Sequence, residues 1–238
     1  MAKVFDISSD PEAAIDAAAT AVAEGRCIVL PTDTVYGIGA DATSGPAVQA
    51  LLDAKRRGRD MPPPVLIAEV AMLRALTDEV SDDMLALADA FWPGALTVVA
   101  NAHPHLRMDL GDRGETIAVR VPDHEFTRDL LRATGPLAVS SANVSGRPAA
   151  TTIAEAQEQL GALVEVYLDG GAASDGVPST IVDLTTGTPK VLREGRISRA
   201  ELERVLPNLA PAPASPVPAQ DSDATGDPAG DAPGAGEG

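Results

Sequence analysis

The chain has 238 residues, a formal charge of −17, one cysteine and 45% apolar residues. That acidity argues against wrapping nucleic acid through its phosphate backbone, although it leaves room for a local basic pocket. A single cysteine excludes an intramolecular disulfide, and no uncharged apolar run is long enough to span a bilayer.

Residues 210–238 contain no Leu, Ile, aromatic or basic residue. They are expected to form a disordered acidic tail rich in Pro, Ala and Gly, because they cannot bury enough surface to offset their ordering entropy. Their opening, Pro211–Pro218, favours polyproline II and a spacer role dispensable for chemistry. The five tail carboxylates account for −5 of the −17 and leave −12 for the rest. Residues 1–209 fit one sizeable domain or two small ones sharing a cleft. The start, Met1 to Asp6, has no apolar leader core, so a cytoplasmic location is expected.

In chain order, Ser9-Asp10-Pro11-Glu12 reads as a capping box opening a helix. Ile15, Ala18, Ala19 and Val22 are its expected buried stripe, and Gly25 its end. Cys27-Ile28-Val29-Leu30 is a short buried strand, with Cys27 as a small core residue, and Pro31 stops it. It delivers Pro31-Thr32-Asp33-Thr34-Val35-Tyr36-Gly37-Ile38-Gly39-Ala40, a polar turn with hydroxyls and glycines spaced for close backbone approach. Such groups at a strand end suit a small polar ligand or a plain strand–turn–helix connection.

Pro46–Arg57 is expected to be helical, ending in Lys55-Arg56-Arg57-Gly58-Arg59. Those cations fit either a dipole-complementing last turn or an anion site. Val65–Ala68 is a strand, Ser81–Phe91 a helix broken by Trp92-Pro93-Gly94, and Leu96–Val99 the next strand. His103-Pro104-His105 lacks a suitably spaced third ligand and reads as loop. Thr116–Pro122 alternates as a strand, with Thr116, Ala118 and Arg120 on one face. An arginine there is costly unless paired, either in a structural ion pair or with a ligand carboxylate.

A helix over about 123–134 follows, then the buried strand Pro136–Val139 running into Ser140-Ser141-Ala142-Asn143. Thr152-Ile153-Ala154-Glu155 is a capping box, and Val164–Leu168 a strand. Thr180–Leu184 and Pro189–Arg193 form a hairpin, and Ser198-Arg199-Ala200-Glu201 caps a last helix. The predicted fold is α/β, with a mixed rather than purely parallel sheet and flanking helices.

Other motifs are weak. Gly37 and Gly39, with Asp60 downstream, imitate a dinucleotide fingerprint but sit too far beyond Leu30 for the first tight turn. Ser140 and Ser141 lack the glycines of a nucleophile elbow, and His124 is the only other triad candidate nearby in sequence.

Taken together, Pro31–Gly37, Lys55-x-Arg57, Trp92–Thr97, Val119–Pro122, Ser141-Ala142-Asn143, Ser179-Thr180 and Leu192-Arg193-x-Gly195 resemble the YrdC-like threonylcarbamoyl-AMP synthases in order and spacing. The resemblance implies a twisted α/β fold around one deep, positively charged cavity, of the short single-domain type. It implies synthesis of threonylcarbamoyl-adenylate and pyrophosphate from L-threonine, bicarbonate and ATP, with Mg2+ riding on ATP. The product would pass to a tRNA threonylcarbamoyl transferase complex for N6-threonylcarbamoyladenosine modification, with direct tRNA binding also possible. By position, Lys55, Arg57, Met61, Thr116, Ser141, Asn143 and Arg193 would surround ATP. Thr32, Arg120, the backbone at Val139 and Ser179 would hold threonine. Met61 and Leu66 stand where some relatives carry Asn and His, and Ala149 replaces a hydroxyl. The alternative is a non-catalytic nucleotide- or RNA-binding module using the same basic cavity; a sugar-phosphate lyase would need paired carboxylates that are not found.

Overall fold

The computed structural model describes residues 2–112, 114–173 and 176–212, so most of the expected tail, 213–238, lies outside the described residues. In chain order it comprises β1 (Lys3–Asp6), α1 (Pro11–Ala23), β2 (Ile28–Leu30), β3 (Gly37–Asp41), α2 (Gly45–Ala54) and β4 (Val65–Leu66). Then follow α3 (Leu73–Leu76), α4 (Asp82–Phe91), β5 (Leu96–Asn101), β6 (Thr116–Arg120), α5 (Glu125–Thr134) and β7 (Leu137–Ser141). The chain continues through α6 (Ile153–Leu160), β8 (Val166–Asp169), β9 (Thr180–Asp183), β10 (Lys190–Arg193) and α7 (Arg199–Val205).

The strands join one ten-stranded sheet in the order β1-β8-β2-β3-β7-β4-β6-β5-β9-β10. Four pairs are parallel (β1·β8, β2·β8, β4·β6, β5·β9) and five antiparallel, so the sheet is mixed as predicted. One face is covered by α2, α4, α6 and α7, whose Leu51, Leu52, Met84, Leu87, Leu160 and Leu202 are buried against Val29, Ile38, Val65 and Val119. On the other face α1 and α5 pack Ala18, Val22, Leu130 and Leu131 against Ile28, Leu30, Leu66 and Leu137. That second cover reaches only part of the sheet, and a concavity remains beside it. Among the described residues no helix is long and apolar enough to cross a membrane.

Several boundaries differ from the sequence reading. The cap of α1 is Asp10, not Ser9: the Asp10 carboxylate accepts from the Ala13 N–H at 3.0 Å. The buried stripe is Ala14, Ala18, Ala21 and Val22, the face that packs with Ile28, Leu30 and Leu130, and Ile15 and Ala19 are half-buried beside it. Gly25 does end the helix, its N–H donating to Val22 and that of Arg26 to Ala21. Glu155 bonds the backbone and hydroxyl of Thr151, so α6 has only the Thr152 half of the expected capping box. The α7 box is complete, Ser198 and Glu201 each bonding the other's backbone.

Two strands escaped the sequence reading altogether. β1 is short and mostly exposed, so it carries no apolar pattern. β3 contains the two glycines read as turn-formers; they pair instead with β2 on one side and β7 on the other. The hairpin β9–β10 forms as expected, with a bulge between Val191 and Arg193. The Ala210 N–H donates to the Pro189 carbonyl at 2.8 Å, and the Ala210 carbonyl accepts from Arg199.

The cap assignment is testable by urea denaturation. Asp10→Ala is expected to cost ~1 kcal/mol, and Ser9→Ala no more than ~0.5 kcal/mol. Equal effects would return the cap to Ser9.

Candidate active site

The concavity has a volume of about 530 Å³, and its floor follows from strand register. Successive residues of a strand point to opposite faces. In register, Gly37 of β3 lies opposite Ser141 of β7, Leu66 of β4 beside Arg120 of β6, and Val99 of β5 opposite Ala118 of β6. Adding every second residue along these strands gives Val139, Thr116 and Thr97, and all of them line the cavity. β3 contributes no side chain here: a Cβ on Gly37 would come within 2.6 Å of Val139 Cγ1. The alternation expected of Thr116, Ala118 and Arg120 therefore holds, and that face is the cavity floor.

Arg120 is 6% exposed, at the inner end of β6. Its Nε donates to the Gly94 carbonyl at 3.0 Å, and NH1 to Thr34 Oγ1 at 3.0 Å. NH2 donates to Asp33 Oδ1 at 2.5 Å, and that same oxygen accepts from the Asp123 N–H at 3.1 Å. The guanidinium therefore already has an ion-pair partner in Asp33, and it also forms part of the cavity wall. Among the described residues three of its five N–H groups are engaged. Burial pulls its pKa down, and the Asp33 carboxylate works against that pull. The turn before it is pre-formed: Thr32 Oγ1 donates to the Val35 carbonyl at 2.6 Å and lies 3.0 Å from Thr34 Oγ1.

The basic cluster is not the last turn of a helix. α2 stops at Ala54, Lys55 is its C-cap, and Arg56 takes a left-handed conformation at φ 52°. That reversal sends Arg57 to the cavity wall, where NH1 donates to Ser140 Oγ at 3.0 Å. Its Nε is buried without a hydrogen-bond partner among the described residues, as a donor awaiting an acceptor would be. Lys55 is 2% exposed and lies behind the wall rather than on it. Its ammonium donates to the Ser141 carbonyl and to the Asn143 carbonyl at 2.9 Å, holding the loop that presents both residues. Burial, and secondarily the charge of Arg57, lower the Lys55 pKa to about 8.

Arg193 is held at the far wall by the Ser179 carbonyl, 2.7 Å from NH2, and burial lowers its pKa too. The contact needs Gly195 nearby, where any Cβ would overlap the backbone of Pro178 and Ser179. Asn143 donates to the Val144 carbonyl at 2.9 Å and the Arg147 carbonyl at 2.8 Å, leaving its own carbonyl oxygen for Lys55.

Of the eleven residues singled out in the sequence, ten line this cavity: Thr32, Arg57, Met61, Thr116, Arg120, Val139, Ser141, Asn143, Ser179 and Arg193. Leu66 and Ala149 line it as well, so the positions that depart from the family pattern face the same space. Sequence reading missed Asp33 as the partner of Arg120, Thr34 as a ligand of its NH1, and Thr97 as a buried hydroxyl 2.9 Å from Ser179 Oγ. All three lie within quoted motifs, and only tertiary contact reveals what they touch.

Three comparisons place this architecture. A family model for the Sua5, YciO and YrdC proteins, described as telomere recombination, matches residues 20–195. A Mycobacterium leprae protein provisionally named threonylcarbamoyl-AMP synthase is 50% identical over 209 residues, 87% of this chain and 94% of its own length. The threonylcarbamoyl-AMP synthase of Bacillus subtilis is 36% identical, over 84% of this chain but 58% of its own. The crystal structure of Pyrococcus abyssi Sua5 complexed with L-threonine superposes with a TM-score of 0.76 at 36% identity, covering 82% of this chain and 58% of that one. The chain thus spans nearly all of the mycobacterial relative and less than two thirds of the other two.

Lys55 generates a pH prediction. An anion in the cavity favours its protonated form, so polyphosphate affinity should fall as pH rises through about 8, where the ammonium is lost. Titration calorimetry with a non-hydrolysable ATP analogue should show that fall in the native chain and a flat profile there in Lys55→Met. A native profile without the step would separate Lys55 from anion binding.

Proposed function

Because the chain belongs to the Sua5/YciO/YrdC family, we propose that it is an L-threonylcarbamoyladenylate synthase, consuming L-threonine, bicarbonate and ATP and releasing pyrophosphate. The observation that carries the reading is four guanidiniums, Arg57, Arg120, Arg193 and the exposed Arg147, brought to one cavity of an otherwise acidic chain. The cavity is large enough for a nucleotide beside a small amino acid.

In this reading Arg57 and Arg193 face the phosphates, with Thr116, Ser141 and Asn143 around the nucleoside and Lys55 adding charge from behind. Met61 can offer ATP only its backbone and an apolar contact. The threonine carboxylate meets the Arg120 guanidinium, flanked by Thr32, Ser179 and the Val139 backbone. The amine adds to CO2 derived from bicarbonate and loses a proton, giving a carbamate. A carbamate oxygen then bonds to the α-phosphorus while the bond to the β-phosphate oxygen breaks, and pyrophosphate leaves. Phosphoryl chemistry of this kind needs positioning and charge neutralisation more than a strong base. Arg120, buried, and Arg57, half-buried, act where charges are felt more strongly than in water, and the more exposed Arg193 adds charge at the far wall.

Among the described residues no group of three or more His, Cys, Asp or Glu is arranged to hold a metal ion. In this reading Mg2+ rides on the ATP phosphates as part of the substrate. The reading puts the reaction in the cytoplasm and hands the product to a tRNA threonylcarbamoyl transferase complex.

Pyrophosphate release decides between this enzyme and a non-catalytic nucleotide- or RNA-binding module. Release that requires both L-threonine and bicarbonate is the expected result; ATP binding without release when both are present would overturn the synthase reading.

Arg120→Lys tests the amino-acid half of the site. Lysine keeps a charge beside Asp33 but cannot reproduce the fork to Gly94, Thr34 and a carboxylate. Threonine affinity should fall about ten- to a hundred-fold, the equivalent of a lost charge-assisted bond, while ATP affinity without threonine stays near native. A collapse in ATP affinity instead would move Arg120 to the phosphate half.

A further inference from the structure

Along the cavity floor Arg120 lies between two unlike neighbours. On one side is Leu66, its register partner on β4, 4% exposed and lining the cavity. Val139 stands beyond it on β7, on the same face. On the other side Thr97 of β5 sits one residue before the Val98–Val119 pair, which sets it beside Arg120. Thr97 is 1% exposed, and its hydroxyl is 2.9 Å from that of Ser179, the residue just before β9.

The hydroxyl pair is not self-sufficient. Ser179 Oγ also accepts from Arg193 NH2 at 3.2 Å. If Thr97 donates to Ser179, the Ser179 hydrogen is left over; if Ser179 donates, the Thr97 hydrogen is. Either way one buried O–H remains without an acceptor among the described residues, and it borders the cavity. An apolar wall and an unspent hydroxyl donor thus flank the guanidinium from opposite sides, at adjacent-strand spacing of about 4.8 Å.

Resting on the synthase reading, we propose that Leu66 and Thr97 are specificity-determining residues which read the two substituents on the substrate's β-carbon. With the carboxylate on Arg120, the methyl group of threonine packs on Leu66 and Val139. Its hydroxyl accepts the free hydrogen of the Thr97–Ser179 pair. Serine leaves the apolar wall uncovered. Valine leaves the buried donor unpaired, which is the costlier error. The site therefore rejects both close relatives of threonine, each on a different side.

The test measures kcat/KM for L-threonine, L-serine and L-valine by pyrophosphate release, with the full chain and saturating ATP and bicarbonate. The native chain should prefer threonine to serine by roughly ten- to two-hundred-fold, the range for one methyl group in an apolar pocket. Leu66→Val should narrow that ratio and Leu66→Ala narrow it further. Thr97→Val together with Ser179→Ala removes both hydroxyls, and should leave that ratio in place and cut the threonine-to-valine ratio by about a hundred-fold or more. The valine variant at Leu66 keeps a branched side chain in the core, so the question stands even where Leu66→Ala fails to fold. A threonine-to-serine ratio unmoved by a folded Leu66 variant, or a threonine-to-valine ratio unmoved by the Thr97→Val, Ser179→Ala double variant, overturns this inference alone. A native chain that releases no pyrophosphate with threonine overturns the synthase reading beneath it.

Discussion

A guanidinium buried at the end of a central strand has to be satisfied from every side, and much of the site is arranged around that requirement. Left alone, a charge at 6% exposure would cost several kcal/mol. Arg120 is answered by a carboxylate, a hydroxyl and a backbone carbonyl from two other segments, at Asp33, Thr34 and Gly94. The Pro31–Gly37 turn, the Trp92-Pro93-Gly94 break and the end of β6 are consequently locked together. Gly94 is held from the other direction as well, its N–H donating to Val121. Motifs that look independent along the chain are three faces of one polar knot, and the cavity wall is the side of that knot left open.

How legible this was depended on whether the deciding contact was local. Strands with apolar alternation, such as Thr116–Arg120 and the Thr180/Lys190 hairpin, declared themselves through a two-residue period. Serine and threonine caps at Ser198 and Thr152 were readable for the same reason, since the bonded N–H lies three residues on. β3 was not readable, because glycine signals a turn unless a facing side chain, here Val139, occupies the space a Cβ would take. The end of α2 was also hidden: Arg56 accepts a left-handed backbone that its type does not advertise. For the site, an arginine in an apolar strand announced a buried interaction, whereas the identity of its partner, Asp33, was a matter of tertiary contact.

The same residues reconcile an acidic chain with an anion site. Net charge acts over the whole surface and is screened within about 8–10 Å at physiological salt. Inside the cavity, Arg57, Arg120 and Arg193 lie close enough for their charges to be felt by one another, Arg193 opposing the protonation of both others. Such mutual repulsion is tolerable in an empty site only because each arginine is tied to fixed oxygen atoms. An anion entering there relieves it.

The bulge in β10 has a consequence for the molecule as an object in solution. A ten-stranded open sheet has two free edges, each a template on which another chain could add a strand and begin a fibre. At one edge the irregularity between Val191 and Arg193 breaks the run of evenly spaced backbone groups, with Leu192, 58% exposed, at the cavity rim. At the other, β1 offers only four residues, with Lys3 at one end and Asp6 at the other. The irregularity beside Arg193 thus also spoils the flat edge on which aggregation would begin. Smoothing that edge into a regular ladder would expose a longer unpaired strand and invite self-association.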